Sequence, residues 1–308
     1  MRRAWFLALL AALPFPLAAP ALAWDATGHM LVAAIAYDRL TPAARARADA
    51  LLRRNPDYES WTAGLPPSGR ARAAFLQAAT WPDDIKGRQG YDPRSEDPAT
   101  PAATRITGYA DRREHREWHF VDIPFSPDGL PVQGPPRSNA QVMITTARGV
   151  LAAADRTADA RSYSLVWLLH LVGDIHQPLH AAERVTARHP KGDRGGNDVP
   201  VCTETCGHRL HSVWDEALGR NLPLDAILAK ARALPAAPAA SVARMDPAAW
   251  ARESHALARD VVYAPPVRAD GQPSQLTEAY MQRAEAVAAS QAALAGARLA
   301  SLLNAALK

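Results

Sequence analysis

Residues 161–180 read RSYSLVWLLHLVGDIHQPLH, and the reading of this stretch decides the fold. Leu165-Val166-Trp167-Leu168-Leu169 is strongly apolar and free of turn residues, which predicts a helix packed in the core. Inside that helix His170 and Asp174 stand four residues apart, so both point to one face. A buried carboxylate is costly unless it is paired or bound to metal. One such pair is equally well read as a hydrogen-bonded His–Asp couple in a core. The chain then repeats the spacing at His211-x-x-x-Asp215, beside Leu210, Val213 and Trp214. Two copies on apolar helices are hard to explain as packing.

Outward from this stretch the chain reads mostly as helix. Leu31, Ala34 and Ile35 recur at helical spacing. Pro42 to Arg54 is rich in Ala, Arg and Leu and starts with proline at a first-turn position after Thr41. Ser138 to Asp155 carries a long apolar stripe, and Ser274 to Leu307 reads as one long helix. Strand signals are few: Glu117 to Ile123 alternates, and Asp198 to Val201 is a short second candidate. Residues 87–108 and 124–136 read as loops, the second holding five prolines and two glycines. The expectation is an all-α, mainly helical single domain with a short hairpin or two strands.

The N-terminus is treated separately. Met1-Arg2-Arg3 is basic, residues 4–17 are apolar, and Ala21-Leu22-Ala23 is an A-x-A cleavage site. Residues 1–23 therefore read as a signal peptide, which places the mature chain outside the cytoplasm, secreted or periplasmic. Cleavage after Ala23 leaves residues 24–308, with 33 basic against 31 acidic side chains. A net charge of +2 is no nucleic-acid footprint by itself. It also gives Trp24 a free α-amine. In an oxidising compartment Cys202 and Cys206 are expected to close a small disulfide at a hairpin tip, and two cysteines are too few for a thiolate zinc site.

Metal binding must then rest on histidine and carboxylate. Eight of the ten histidines lie between His115 and His211. Besides the two pairs, His180 follows a proline turn, His119 lies on the strand-like segment, Asp83 follows Trp81-Pro82, and His29 is five residues from Trp24. Trp24, His29, Asp83, His119, His170, Asp174, His180, His211 and Asp215 are too many ligands for one zinc and enough for two or three. His176 is set aside as lying on another helical face. His115, His189, His208 and His255 stand in polar or Arg-rich settings and are expected to face solvent.

These residues carry a resemblance. Trp24-x4-His29, Trp81-Pro-Asp83, His119-Phe-Val-Asp122, His170-x3-Asp174-x5-His180, Gly195-Gly-Asn197 and Leu210-His211-x2-Trp214-Asp215 look like the zinc-dependent single-strand nucleases of the S1/P1 family, in one superfamily with zinc phospholipases C. The resemblance implies a mainly helical fold around three zinc ions. Carried over by position, Asp83, His119, His170 and Asp174 would hold one. The Trp24 amine and carbonyl, His29 and the shared Asp174 would hold a second. His180, His211 and Asp215 would hold the third.

It also implies an endonuclease that hydrolyses RNA and single-stranded DNA to 5′-phosphate products by metal-activated water, with 3′-nucleotidase activity as a further expectation. Asp122 would orient the attacking water; otherwise it is an aspartate in a turn. Lys86 would fix Asp122 or face phosphate; otherwise it is a solvated surface lysine. Phe120 would stack on a base, although strand alternation would turn it away from His119 and bury it. Asn197 would touch substrate from a loop brought close to the cleft; alone such a loop is a common turn. The expected partner is single-stranded nucleic acid, with a monomeric chain and no membrane or protein partner. Two other readings stay open: a zinc phospholipase C and a non-catalytic zinc-binding protein.

Overall fold

A computed structural model describes residues 24–94 and 100–308. The expected signal peptide lies outside them. Among the described residues twelve α-helical segments stand against five strands of two to four residues, so the fold is mainly helical.

The Ala158–Asp174 helix forms the axis of the molecule. Thr157 starts it by accepting the Ala160 N–H, and from Ser162 to Asp174 every side chain is buried. It pairs with Ala140–Ala152 and also touches the Ala26–Asp38 and Glu278–Ala306 helices. The last two pack on each other over a glycine contact: a Cβ on Gly296 would sit 2.6 Å from Ile35. Glu278–Ala306 is long and apolar enough to cross a membrane by length and composition, yet most of that stretch is buried within the fold. Its Arg298 is fully buried, bonded to His176 Nε2 at 2.9 Å and to Glu253 at 2.8 Å. His176, set aside as a ligand, is thus part of a helix-to-helix tie.

A smaller cluster sits beside the main core, built from residues such as Leu179, Val201, Trp214, Val262 and Tyr280. Pro200–Cys202 and Cys206–Arg209 form an antiparallel hairpin with Cys202–Cys206 bonded at its tip, as expected. Ser274–Gln275 joins it in parallel.

The strand expected over residues 117–123 is not there. Arg116–His119 is a 3-10 turn, and only Pro124–Phe125 pairs as strand, with Glu183–Arg184. The intervening backbone is fastened singly: Val121 donates to the His180 carbonyl and the Phe120 carbonyl accepts from Ala140. Alternating apolar residues here reflect a segment threaded between helices, not a sheet face.

Candidate metal centre

Three local devices bring distant histidines together. The Ala158–Asp174 helix presents His170 and Asp174 from one face. The helix ends at Asp174, and the Pro178–Ala181 turn folds His180 back over it. The six-residue helix Leu210–Asp215 presents His211 and Asp215. The Trp81–Asp84 turn adds Asp83, the Arg116–His119 turn adds His119, and the first helix adds His29.

Three groups result: His29 with Asp83 and His170; His119 with His170 and Asp174; His180 with His211 and Asp215. Within each, one ligand atom per residue lies within 4.8 Å of the others. Asp174 stands between the first two. Its Oδ1 lies 3.3 Å from His29 Nε2, while its Oδ2 lies 3.0 Å from His119 Nδ1 and 3.2 Å from His170 Nε2. A carboxylate facing different histidines with each oxygen is arranged to bridge two cations. Trp24 is fully buried beside them, its indole N–H donating to the Gly173 carbonyl at 3.0 Å. Gly28 and Gly173 leave it and His29 room. A Cβ on Gly28 would lie 2.7 Å from the Trp24 Cβ, and one on Gly173 would lie 2.9 Å from His29 Nδ1.

The donor chemistry fits metal. Three rings have their Nδ1 committed to a backbone carbonyl: His170 donates to Ala79 at 2.7 Å, His180 to His119 at 2.8 Å and His211 to Gly195 at 2.6 Å. Each Nε2 is thereby left as a lone pair, the form a metal takes. Buried polar atoms elsewhere in proteins are nearly always paired. Here both ring nitrogens of His29, Nε2 of His119 and Oδ1 of Asp174 are buried without a hydrogen-bond partner. Burial lowers His119 and His180 to about 4 and His211 to about 3, His180 adding to the effect on His211, whereas at His170 the Asp174 and Asp83 carboxylates outweigh burial and raise it. Burial alone would raise the Asp174 carboxyl, but His170, His119 and His180 more than offset it and hold it well below its ordinary range. Asp215 is the opposite case. Burial drives it well above that range, and Gln177, donating to its Oδ1 at 2.7 Å, compensates only in part. A cation beside Asp215 would supply the missing charge.

The remaining four site residues meet on one cleft of about 890 Å³. Asp122, Lys86, Phe120 and Asn197 all line it, as do Lys191 and Arg194. Lys86 is not a solvated surface lysine. Its side chain is 3% exposed and its Nζ lies 2.6 Å from Asp83 Oδ1. Phe120 is only half-buried, with its ring 4.7 Å from that of His180, because the 3-10 turn replaces the alternation that would have hidden it. Asp122 sits in the left-handed region at φ 52°. Asn197 bonds back to the Arg194 carbonyl at 2.7 Å.

One demoted histidine is also placed differently. His115 does not face solvent: it is buried, stacked 3.5 Å from the Trp118 ring, and paired with Asp111 at 3.0 Å. Its polar neighbours in sequence are its ion-pair partners. Sequence reading missed Gln177, which serves both as a turn cap for Leu179 and as the partner of Asp215. Its position directly before Pro178, between two ligand positions, was the available signal.

A family model described as S1/P1 Nuclease matches residues 24–308. Endonuclease 2 of Arabidopsis thaliana is 34% identical over 64 residues, 21% of this chain and 20% of that protein. Endonuclease 4 of the same plant is 40% identical over 55 residues, 18% of this chain and 16% of that protein. The chain thus aligns with about a fifth or less of the length of these curated relatives.

Proposed function

Starting from a chain that belongs to the S1/P1 nuclease family, we propose an exported, metal-dependent endonuclease that hydrolyses RNA and single-stranded DNA to 5′-phosphate products. The observation that carries the reading is Asp174, whose two oxygens face different histidines beside a further His180–His211–Asp215 group. We assign three Zn²⁺ to these residues, divided as the family resemblance implies. Asp83, His119, His170 and Asp174 hold one. His29, Asp174 and the α-amine and carbonyl of Trp24 hold a second, and His180, His211 and Asp215 hold the third. The unit runs from residue 24 to 308 as a monomer, with residues 1–23 removed on export. Bound zinc supplies positive charge to the phosphodiester and lowers the pKa of water toward neutrality.

The chain's own residues do the rest. Asp122, on the cleft wall, orients the attacking water and takes up its proton. Lys86 holds Asp83 in its ligating position. Phe120 stacks on a base, which needs an unpaired strand and little sequence preference. Asn197 offers a polar contact from the cleft lining. The committed Nδ1 atoms keep His170, His180 and His211 in one tautomer, ready to ligate. We extend the reading to 3′-nucleotides, whose phosphate ester has the same chemistry.

The deciding experiment pairs metal analysis of the protein starting at Trp24 with a substrate panel. About three zinc ions per chain and cleavage of single strands that stops with chelator are expected. Cleavage of lecithin with none of polynucleotide would point to a phospholipase C, and zinc binding with neither activity to a non-catalytic protein.

A further inference from the structure

Two carboxylates outside the metal groups grip the loop that orients one of them. Glu183 accepts the backbone N–H of Arg194 at 2.9 Å with one oxygen and that of Gly195 at 3.2 Å with the other. Asp193 is fully buried, and its Oδ1 accepts the next N–H, that of Gly196, at 3.1 Å. Three consecutive backbone donors are therefore held by two side chains. Asp193 is in turn anchored by the Tyr263 hydroxyl at 2.9 Å and by Arg184 Nε at 3.1 Å.

The grip imposes an unusual backbone. Arg194, Gly195 and Gly196 lie in succession in the left-handed region, at φ 55°, 57° and 82°. That region disfavours any side chain, so Arg194 stays there only because its surroundings require it. Neighbouring glycines show the same pressure. A Cβ on Gly195 would lie 2.6 Å from the Leu179 carbonyl, and one on Gly192 would collide with the Glu183 carboxylate. This path turns the Gly195 carbonyl onto His211 Nδ1 at 2.6 Å. His211 Nε2 then faces His180 Nε2 at 3.2 Å and Asp215 Oδ2 at 3.6 Å.

We infer that Glu183 and Asp193 are positioning residues for the His180–His211–Asp215 metal group, acting through the Gly195 carbonyl. The inference rests on the metal reading above for its consequence but not for its geometry. Partners that orient metal-binding histidines typically change metal affinity by about 10- to 100-fold when altered.

Glu183→Ala and Glu183→Gln test it with two readouts. In the metal-free protein labelled with ¹⁵N-histidine, the His211 Nδ1 proton should be protected in the wild type and lost in Glu183→Ala. Those of His170 and His180 should persist. On titration with zinc, one equivalent should weaken by about 10- to 100-fold while the others hold. Glu183→Gln keeps the side-chain volume and one acceptor oxygen, and should fall between wild type and Ala. If the Ala variant does not fold, the Gln variant decides on the same two measurements. A protected His211 proton in the variant, or none in the wild type, overturns the inference, whatever happens to the melting temperature. A wild type that binds no zinc overturns the metal reading instead, and the proton signal still reports on the loop.

Discussion

The Nε2 atoms of His180 and His211 lie 3.2 Å apart, while the Nδ1 of each ring is spent on a backbone carbonyl. Two buried lone pairs at that distance repel unless a cation draws both. Metal removal should therefore lower the melting temperature, and added zinc should restore it. Metal held at 100 to 1,000 times its Kd stabilises by roughly 2.7–4.1 kcal/mol. Thermal unfolding with chelator and after zinc return measures this; identical curves would remove the metal assignment.

Asp174 should be the most sensitive single ligand. One oxygen faces His29 and the other faces His119 and His170, so Asp174→Asn loses charge at two positions at once. Nuclease activity should fall by about 100-fold or more, beyond the range seen for groups that merely orient ligands. Metal analysis should show two weakened equivalents rather than one. Loss of a single equivalent would mean that Asp174 does not bridge.

Phe120 separates binding from chemistry. Its ring lines the cleft against the His180 ring and offers no ligand atom of its own. Phe120→Ala should raise KM for single-stranded DNA by the loss of a stacking contact, about 1–3 kcal/mol. A fall in kcat with KM unchanged would place the ring in support of His180 instead.

The Asp122 carboxyl gives a pH dependence with a definite sign. Burial, with Asp193 nearby, raises it from 3.8 to about 7; burial raises Glu183 to about 7 as well. Between about pH 4 and 7 these two carboxyls keep, in the folded metal-free protein, protons that the unfolded chain has released. Their contribution to stability should therefore fall as pH rises through that window, against the opposite contribution of the buried histidines His119, His180 and His211. Denaturant unfolding of the metal-free wild type and Asp122→Asn from pH 5 to 8 isolates the Asp122 part: the variant should gain stability relative to the wild type as pH rises. A constant difference between the two proteins across that range would show that Asp122 is ionised throughout.

The proposed Trp24 amine can be tested without touching any side chain. Trp24 is fully buried, with its indole tied to the Gly173 carbonyl. A protein carrying one extra residue before Trp24 converts the amine to an amide, which is a poor ligand. One zinc equivalent should weaken and activity should drop. Unchanged metal content in that protein would leave the amine without a role.

Much of this molecule was readable along the chain. Helical spacing depends on near neighbours, so the Ala158–Asp174 helix and the i, i+4 placement of His170 with Asp174 follow from local sequence. The cost of burying carboxylates twice on apolar helices pointed to metal for the same local reason. Glu117 to Ile123 reads as strand but is not one, because apolar alternation describes burial on two sides, and helices supply that burial as well as a sheet does. His115 is buried where its polar neighbours suggest solvent, because its partners are set by turns whose direction no local pattern encodes.

The sequence by itself determined the helical class and the i, i+4 pairing of His170 with Asp174 and of His211 with Asp215. Tertiary structure alone decided which oxygen of Asp174 meets which histidine, that Asp122, Lys86, Phe120 and Asn197 share one cleft, and that Glu183 and Asp193 hold the Gly195 carbonyl against His211. The physical reason is the range of the interactions. Helix periodicity acts over a few residues, whereas a carbonyl 16 residues away in the chain can orient a ring only once the loop between them has closed.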